Sequence, residues 1–141
     1  MNYNDAIAKG IDFLVLDQQD EADLAFQKVI VSLKAELKDT KDRNKKIELN
    51  LWWARTLELM EEYEQALIRY QKALEIDYSN REILYRIASL FVHSLSKPQH
   101  AIPLLEEKLL KWDPENEEYQ DLLDHAKNGI ADEDTEVIEI D

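Results

Sequence analysis

Three histidines, His93, His100 and His125, are the candidate acid–base groups of this 141-residue sequence. Ser89 precedes His93 by four residues, which places both side chains on one face of a helix, as a nucleophile and its base would require. No acid that would orient the imidazole and no oxyanion loop accompanies them in the sequence. The pair therefore does not predict a hydrolase, and we expect no catalytic residue.

The sequence also lacks the residue patterns that bind metal ions or phosphate groups. Asp121 and His125 lie one helical turn apart and could form one edge of a metal site, but two ligands do not make a site. The absence of Cys excludes a thiolate site, a disulfide framework and a cysteine nucleophile. Two glycines leave no room for a phosphate-binding loop. We expect neither cofactor nor metal.

The net charge of the chain limits the classes of partner that it can bind. With 31 acids and 17 bases the formal net charge is −14, which disfavours duplex nucleic acid and anionic membrane surfaces. No apolar run is long enough to span a membrane, and the first residues lack the basic and apolar segments of a signal peptide. These features predict a cytoplasmic protein whose partners are other proteins.

The acidity is concentrated in residues 131–141. Six of the acids and none of the bases lie there, so residues 1–130 carry a net charge of −8. We predict that this acidic tail is disordered. Two alternatives stay open: its apolar residues could add as a strand to a partner's sheet, or the tail could fold back and offer its acids and isoleucines to an arginine-containing groove of the chain itself. The candidate contacts in the tail are Val137, Ile138 and Ile140.

Before the tail, apolar residues recur at steps of three and four in seven stretches, the pattern of consecutive amphipathic helices. The fold class is therefore all-α. Polar and proline-containing segments separate the stretches and supply the expected caps. The predicted boundaries are a cap at Asp20, a capping box at Ser79-x-x-Glu82, a helix start near Gln99, a cap at Asp113-Pro114 and a stop at Gly129.

Small residues recur with a constant phase. Gly10, Ala54 and Ala88 are separated by 44 and 34 residues, and each is followed three positions later by an aromatic residue or leucine. A second small residue opens each partner helix 12 or 13 residues further on. A period of 34, with ten extra residues in the first unit, indicates an array of stacked helix pairs.

Residues 47–80 resemble a tetratricopeptide repeat, through Trp53-Ala54-x-x-Leu57 and Tyr63-x-x-Ala66-x-x-x-Tyr70-x-x-Ala73. Residues 3–36 and 81–116 resemble two further, less regular units. The resemblance implies a right-handed α-solenoid of three helix pairs with a C-terminal capping helix over 115–128. It predicts one repeat domain, residues 1–130, followed by the disordered acidic tail.

The resemblance also implies where partners bind, because the first helices of such pairs line a concave groove. Aromatic residues and arginine most often dominate binding energy at interfaces. As an alternative, Trp52 and Tyr85 pack on neighbouring helices while Arg55 and Arg86 are solvated. The predicted groove residues are Ile7, Ile11, Leu14, Leu51, Trp52, Arg55, Leu59, Tyr85, Arg86 and Ser89.

The resemblance implies a non-catalytic adaptor that binds a partner segment in this groove. Two other functions fit the sequence: a small acidic secretion-type chaperone for a client protein, and a self-assembling structural scaffold. One subclass of the family binds the C-terminal carboxylate of heat-shock chaperones. Of the five corresponding positions here, only Arg86 matches, so we do not expect that activity.

Overall fold

The computed structural model describes residues 1–130 in full and only the backbone of residues 131–140. The tail that was predicted to be disordered is described only through its backbone, which continues as helix to Ile140, and the side chains of Val137, Ile138 and Ile140 lie outside the described residues. In the described part the chain is helical and contains no strand. The helices are α1 (Tyr3–Val15), α2 (Gln19–Asp39), α3 (Arg43–Leu59), α4 (Tyr63–Ile76), α5 (Arg81–His93), α6 (Pro98–Pro103), a π-helix (Leu104–Leu109), α7 (Leu110–Trp112) and α8 (Glu117–Ile140).

The predicted fold class is confirmed: the protein is all-α and built of three helix pairs and a final helix. In the third pair, α6, the π-helix and α7 follow one another without a break and together form the second helix.

The chain forms two compact units, unit 1 (Met1–Tyr78) and unit 2 (Ser79–Asp141). The division falls next to the predicted boundary between the second and third repeats. No described helix combines the length and the apolar composition needed to cross a membrane.

The first hairpin, α1–α2, packs around the ring of Phe26. This ring is fully buried, and a Cβ atom added to Gly10 would overlap one of its carbons. Only glycine permits so close an approach of α1 to the ring. The small residue of the first repeat is therefore a packing requirement. The rest of this core cluster is Tyr3, Ile7, Ala22, Val29, Leu33 and Leu49.

The second hairpin, α3–α4, follows the same plan with alanine in place of glycine. Ala54 and Ala66 are fully buried, and so is nearly all of Tyr70. The Tyr70 hydroxyl donates a hydrogen bond to the Glu58 carboxylate and so links α4 to α3. Arg43, at the start of α3, donates from Nη2 to the carbonyl oxygen of Ile76 at 2.6 Å. That bond satisfies one of the carbonyls that the end of α4 leaves without an intrahelical partner.

Each first helix of a pair is followed by a residue in the left-handed region. The φ angles are 58° at Asp17, 61° at Glu61 and 53° at Ser96, and none of these residues is glycine. The three positions mark the same point of each repeat, the turn from the first helix to the second. Backbone geometry thus repeats with the phase that the small residues predict.

In unit 2, helix α5 packs against the second helix of its pair and against α8. Leu105 and Leu109, both in the π-helix, are fully buried. The π-helix follows Pro103, which lacks the N–H that a continuous α-helix would use. Residues 81–116 hold two residues more than the period of 34, and a π-turn, which holds one more residue than an α-turn, takes up part of this excess.

Several predicted boundaries are wrong by one to three residues. Helix α2 begins at Gln19, so Asp20 lies inside its first turn, and α6 begins at Pro98 rather than Gln99. Asn80, not Ser79, caps α5 by accepting from the Ile83 N–H at 3.1 Å.

The last helix also begins and continues differently from the prediction. The Asn116 side chain accepts from the Tyr119 N–H at 3.1 Å, so Asn116 takes the capping role that was assigned to Asp113-Pro114. Helix α8 begins at Glu117 rather than at residue 115 and continues past the predicted stop at Gly129. Glycine is tolerated here because one such residue in a helix costs only about 1 kcal/mol.

Candidate functional site

Six of the seven groove residues predicted in unit 1 lie on the neighbouring helices α1 and α3 with part of their side chains accessible. Five are half-buried aliphatic or aromatic residues, and the sixth, Arg55, is exposed. Ile11, Leu14, Trp52 and Leu59 pack against the core cluster of unit 1. We call this set the α1–α3 strip: Ile11, Leu14, Leu51, Trp52, Arg55 and Leu59.

Ile7 does not belong to this strip. Its side chain is only 2% exposed and forms part of the core cluster around Phe26. Ile7 lies one turn before Gly10, and both residues are buried. We therefore leave Ile7 out of the binding surface.

The adjacent tryptophans of α3 have different surroundings. Trp52 is half-buried, and its Nε1 donates to Oε1 of Glu48 at 3.4 Å, one turn earlier. The Trp53 ring lies under two cations: the Arg69 guanidinium is 4.0 Å and the Lys34 ammonium 5.6 Å from its centroid. Such cation–π contacts hold a ring in place. These contacts give Trp53 a packing role, whereas the binding of a partner by Trp52 stays a prediction.

Arg69 and Arg55 also differ in how accessible their side chains are. Burial lowers the pKa of Arg69 from its ordinary value, and its Nη1 donates to the side-chain oxygen of Asn50 at 3.5 Å. Arg55 is exposed and has no ion-pair partner among the described residues. Among these two arginines, Arg55 can present all its donors to a carboxylate.

In unit 2 the three predicted residues lie on α5. The Tyr85 ring is half-buried, with its centroid 5.5 Å from that of Tyr119 on α8, which matches the packing alternative. Arg86 is exposed and pairs with Glu82, Nη2 to Oε1 at 3.1 Å. Ser89 is half-buried. Their role in partner binding stays a prediction.

The histidines make structural contacts. His93 and His125 meet edge to face with centroids 6.0 Å apart, and His100 stacks on Phe91 at 5.2 Å. The His125 Nδ1 lies 2.9 Å from the backbone oxygen of Asp121, so a protonated Nδ1 donates to the backbone. Within the described residues no group of three or more metal-binding side chains comes together.

A second surface, which the sequence did not indicate, lies between the first two helices. The α1–α2 cleft has a volume of about 260 Å³ and is mostly apolar, with lysines among its lining residues. Leu24 fits the apolar period of α2 but is 56% exposed here. The lining residues are Met1, Ala6, Lys9, Phe13, Glu21, Leu24, Ala25, Lys28 and Val29.

Comparison with known proteins supports the fold alone. No family model and no curated protein matches the sequence. Among solved structures, the Hsp90 co-chaperone Cns1 from Saccharomyces cerevisiae (delta69) has a similar fold, with a TM-score of 0.64 and 17% sequence identity. The match covers 97% of this chain and 42% of the yeast chain, so the present chain spans less than half of that protein. Membership of the tetratricopeptide repeat family stays a prediction.

Proposed function

We propose that the chain is a non-catalytic protein-interaction module that binds a segment of a partner protein on the α1–α3 strip. The observation that carries the proposal is the combination, on two neighbouring helices, of half-buried aliphatic side chains, Trp52 and the exposed Arg55. The fold likeness to a protein named as a co-chaperone is consistent with an adaptor role.

The strip has the composition of a binding surface. On α3, Leu51, Arg55 and Leu59 are spaced by four residues and therefore share one helix face, with Trp52 beside them. Tryptophan and arginine are the residues that most often dominate binding energy when a partner removes them from water. The strip thus suits a partner segment with apolar side chains next to a carboxylate, which Arg55 would bind.

The packing of the strip residues on the core supports the same proposal. Trp52 and Leu59 pack against a core that is already closed, so a partner finds the surface formed before it arrives. Binding to preorganised helices avoids much of the ordering entropy that a flexible surface would lose. The mechanism is burial of apolar anchors together with charge-assisted hydrogen bonds from Arg55.

A photo-crosslinking amino acid at position 55, introduced into the full chain in its native host, tests the proposal. We expect one discrete crosslinked protein from position 55 and none from position 71, an exposed site on α4. With that protein purified, Trp52→Ala should weaken binding by about 10-fold or more.

The matched control is Ile68→Ala, which removes a 47% exposed apolar side chain from α4. It should leave the affinity unchanged. Equal affinity of wild type and Trp52→Ala, with circular dichroism showing both folded, would contradict the proposal.

A further inference from the structure

The α1–α2 cleft is an accessible apolar depression within unit 1. Its walls include Phe13 of α1 and Leu24 of α2, and Leu24 exposes 56% of its surface to water. A cleft of about 260 Å³ is near the lower end of the range for binding pockets, suited to a few side chains of a peptide.

Cations outnumber carboxylates around this cleft, although the chain as a whole is strongly acidic. Lys9 lies on α1 and Lys28 on α2, while Glu21 is the only carboxylate among the lining residues. Within the described part of the chain neither lysine has an ion-pair partner. An apolar floor beside two unpaired ammonium groups favours a segment that combines aliphatic side chains with carboxylates.

The sequence itself contains such a segment. Residues 131–141 combine six acids, no base and the aliphatic residues Val137, Ile138 and Ile140. In the stretch Glu136-Val137-Ile138-Glu139-Ile140-Asp141, three aliphatic residues stand among three acids, so the segment combines the apolar groups and the carboxylates that the cleft would bind. Every copy of the chain thus carries one cleft and one segment that is complementary to it.

We propose that the α1–α2 cleft binds residues 131–141 of a second copy of the chain. The contact joins two different surfaces, so it is heterologous, and successive copies associate head to tail. A contact of this size is small compared with stable interfaces, so association is weak and appears only at high protein concentration.

Two complementary full-length variants test this contact. The cleft variant is Lys9→Glu/Lys28→Glu, and the segment variant is Val137→Ser/Ile138→Ser/Ile140→Ser. We expect the wild-type average mass in sedimentation or light scattering to rise above 16.6 kDa between about 10 μM and 1 mM. Each variant alone should stay at the monomer mass, with association weakened by about 10-fold or more.

An equimolar mixture of the two variants is the decisive sample. The intact segment of the cleft variant can enter the intact cleft of the segment variant, which gives a dimer that cannot grow further. Lys38→Glu/Lys41→Glu changes the charge equally at exposed positions outside the cleft and should associate like wild type.

Three results would overturn the proposal. They are a wild-type mass that does not change with concentration, a mixture that stays monomeric, and equal loss of association in the control variant. A wild-type chain that stays monomeric, yet whose Lys9 and Lys28 are acetylated more slowly than those of the segment variant, would identify the chain's own segment as the occupant. None of these results depends on the α1–α3 strip.

Discussion

The two hairpins of unit 1 solve the same packing problem in different ways. In α1–α2, glycine at position 10 lets the helix lie so close to the Phe26 ring that no Cβ fits. In α3–α4, the equivalent position is Ala54, and the buried aromatic residue is Tyr70, whose hydroxyl binds Glu58. Both hairpins therefore combine a buried small residue on the first helix with a buried aromatic ring on the second, and in α1–α2 the contact with the ring requires glycine.

The largest effect should come from removing the close approach in the first hairpin. Gly10→Ala places a methyl group against Phe26, and we expect it to lower the free energy of unfolding by about 2 kcal/mol through overpacking. Urea denaturation measures the change.

Helix propensity alone predicts the opposite sign for Gly10→Ala, a gain of about 1 kcal/mol. A more stable variant would therefore contradict the packing explanation. Phe26→Leu in the same chain should restore part of the loss, because the smaller side chain gives the methyl group room. Ala54→Gly, the matched change in the second hairpin, should cost about 1 kcal/mol through propensity.

The second largest effect should come from removing the tyrosine–carboxylate hydrogen bond that joins the helices of each hairpin. Tyr70 donates to Glu58 from a buried site, whereas Tyr3 donates to Glu36 at 3.0 Å from a site nearer the surface. We expect Tyr70→Phe to cost about 1–2 kcal/mol and Tyr3→Phe less, since the charge-assisted bond is more shielded at Tyr70. Urea denaturation at pH 7 compares them, and equal losses would contradict this ranking.

The pH dependence of the stability tests the role of the Tyr3 hydroxyl in the first hairpin. Desolvation by burial is the main cause that raises the pKa of Tyr3 above its ordinary value of 10.0, helped by the bond to Glu36 and opposed by the bond to Ser32. A raised folded-state pKa means that the protonated hydroxyl stabilises the fold below pH 10 and that this contribution is lost as the pH rises through the folded-state pKa. Between pH 9 and 11 the stability of Tyr3→Phe should therefore fall less steeply than that of wild type.

The smallest effect, and a stabilising one, concerns the turns. Asp17 and Glu61 both have φ near 60°, where a residue with a Cβ is strained. Replacing either by glycine should raise the free energy of unfolding by about 0.5 kcal/mol, the relief of strain less the extra entropy of the unfolded chain. Thermal unfolding of Asp17→Gly and Glu61→Gly should show similar shifts, and a decrease in either would contradict the assignment of strain.

The helix pairs could be predicted because their signals are local. Apolar periodicity locates each helix, and the phase of Gly10, Ala54 and Ala88 identifies the pairs. Exact helix starts could not be predicted, because several capping residues compete within a few positions. Ser79 and Asn80 are equally good candidates by sequence, and only the backbone angles select Asn80.

The surfaces were harder to predict because they depend on what covers each face. Leu24 fits the apolar period of α2, yet no described element buries it. Trp53 receives its two cations from α2 and α4, so no pattern within α3 distinguishes it from Trp52. Ile7 was assigned to the groove by its position in the repeat, whereas its side chain forms part of the core cluster around Phe26.

The distribution of tryptophan gives each unit its own optical probe. Trp52 and Trp53 belong to unit 1, while Trp112 lies in unit 2 beneath the Arg81 guanidinium, 5.7 Å from the ring centroid. Excited at 295 nm, a chain with Trp112→Phe emits from unit 1 alone, and one with Trp52→Phe/Trp53→Phe emits from unit 2 alone. Comparing the two emission curves during denaturation reveals whether the halves lose their structure in one transition or in two.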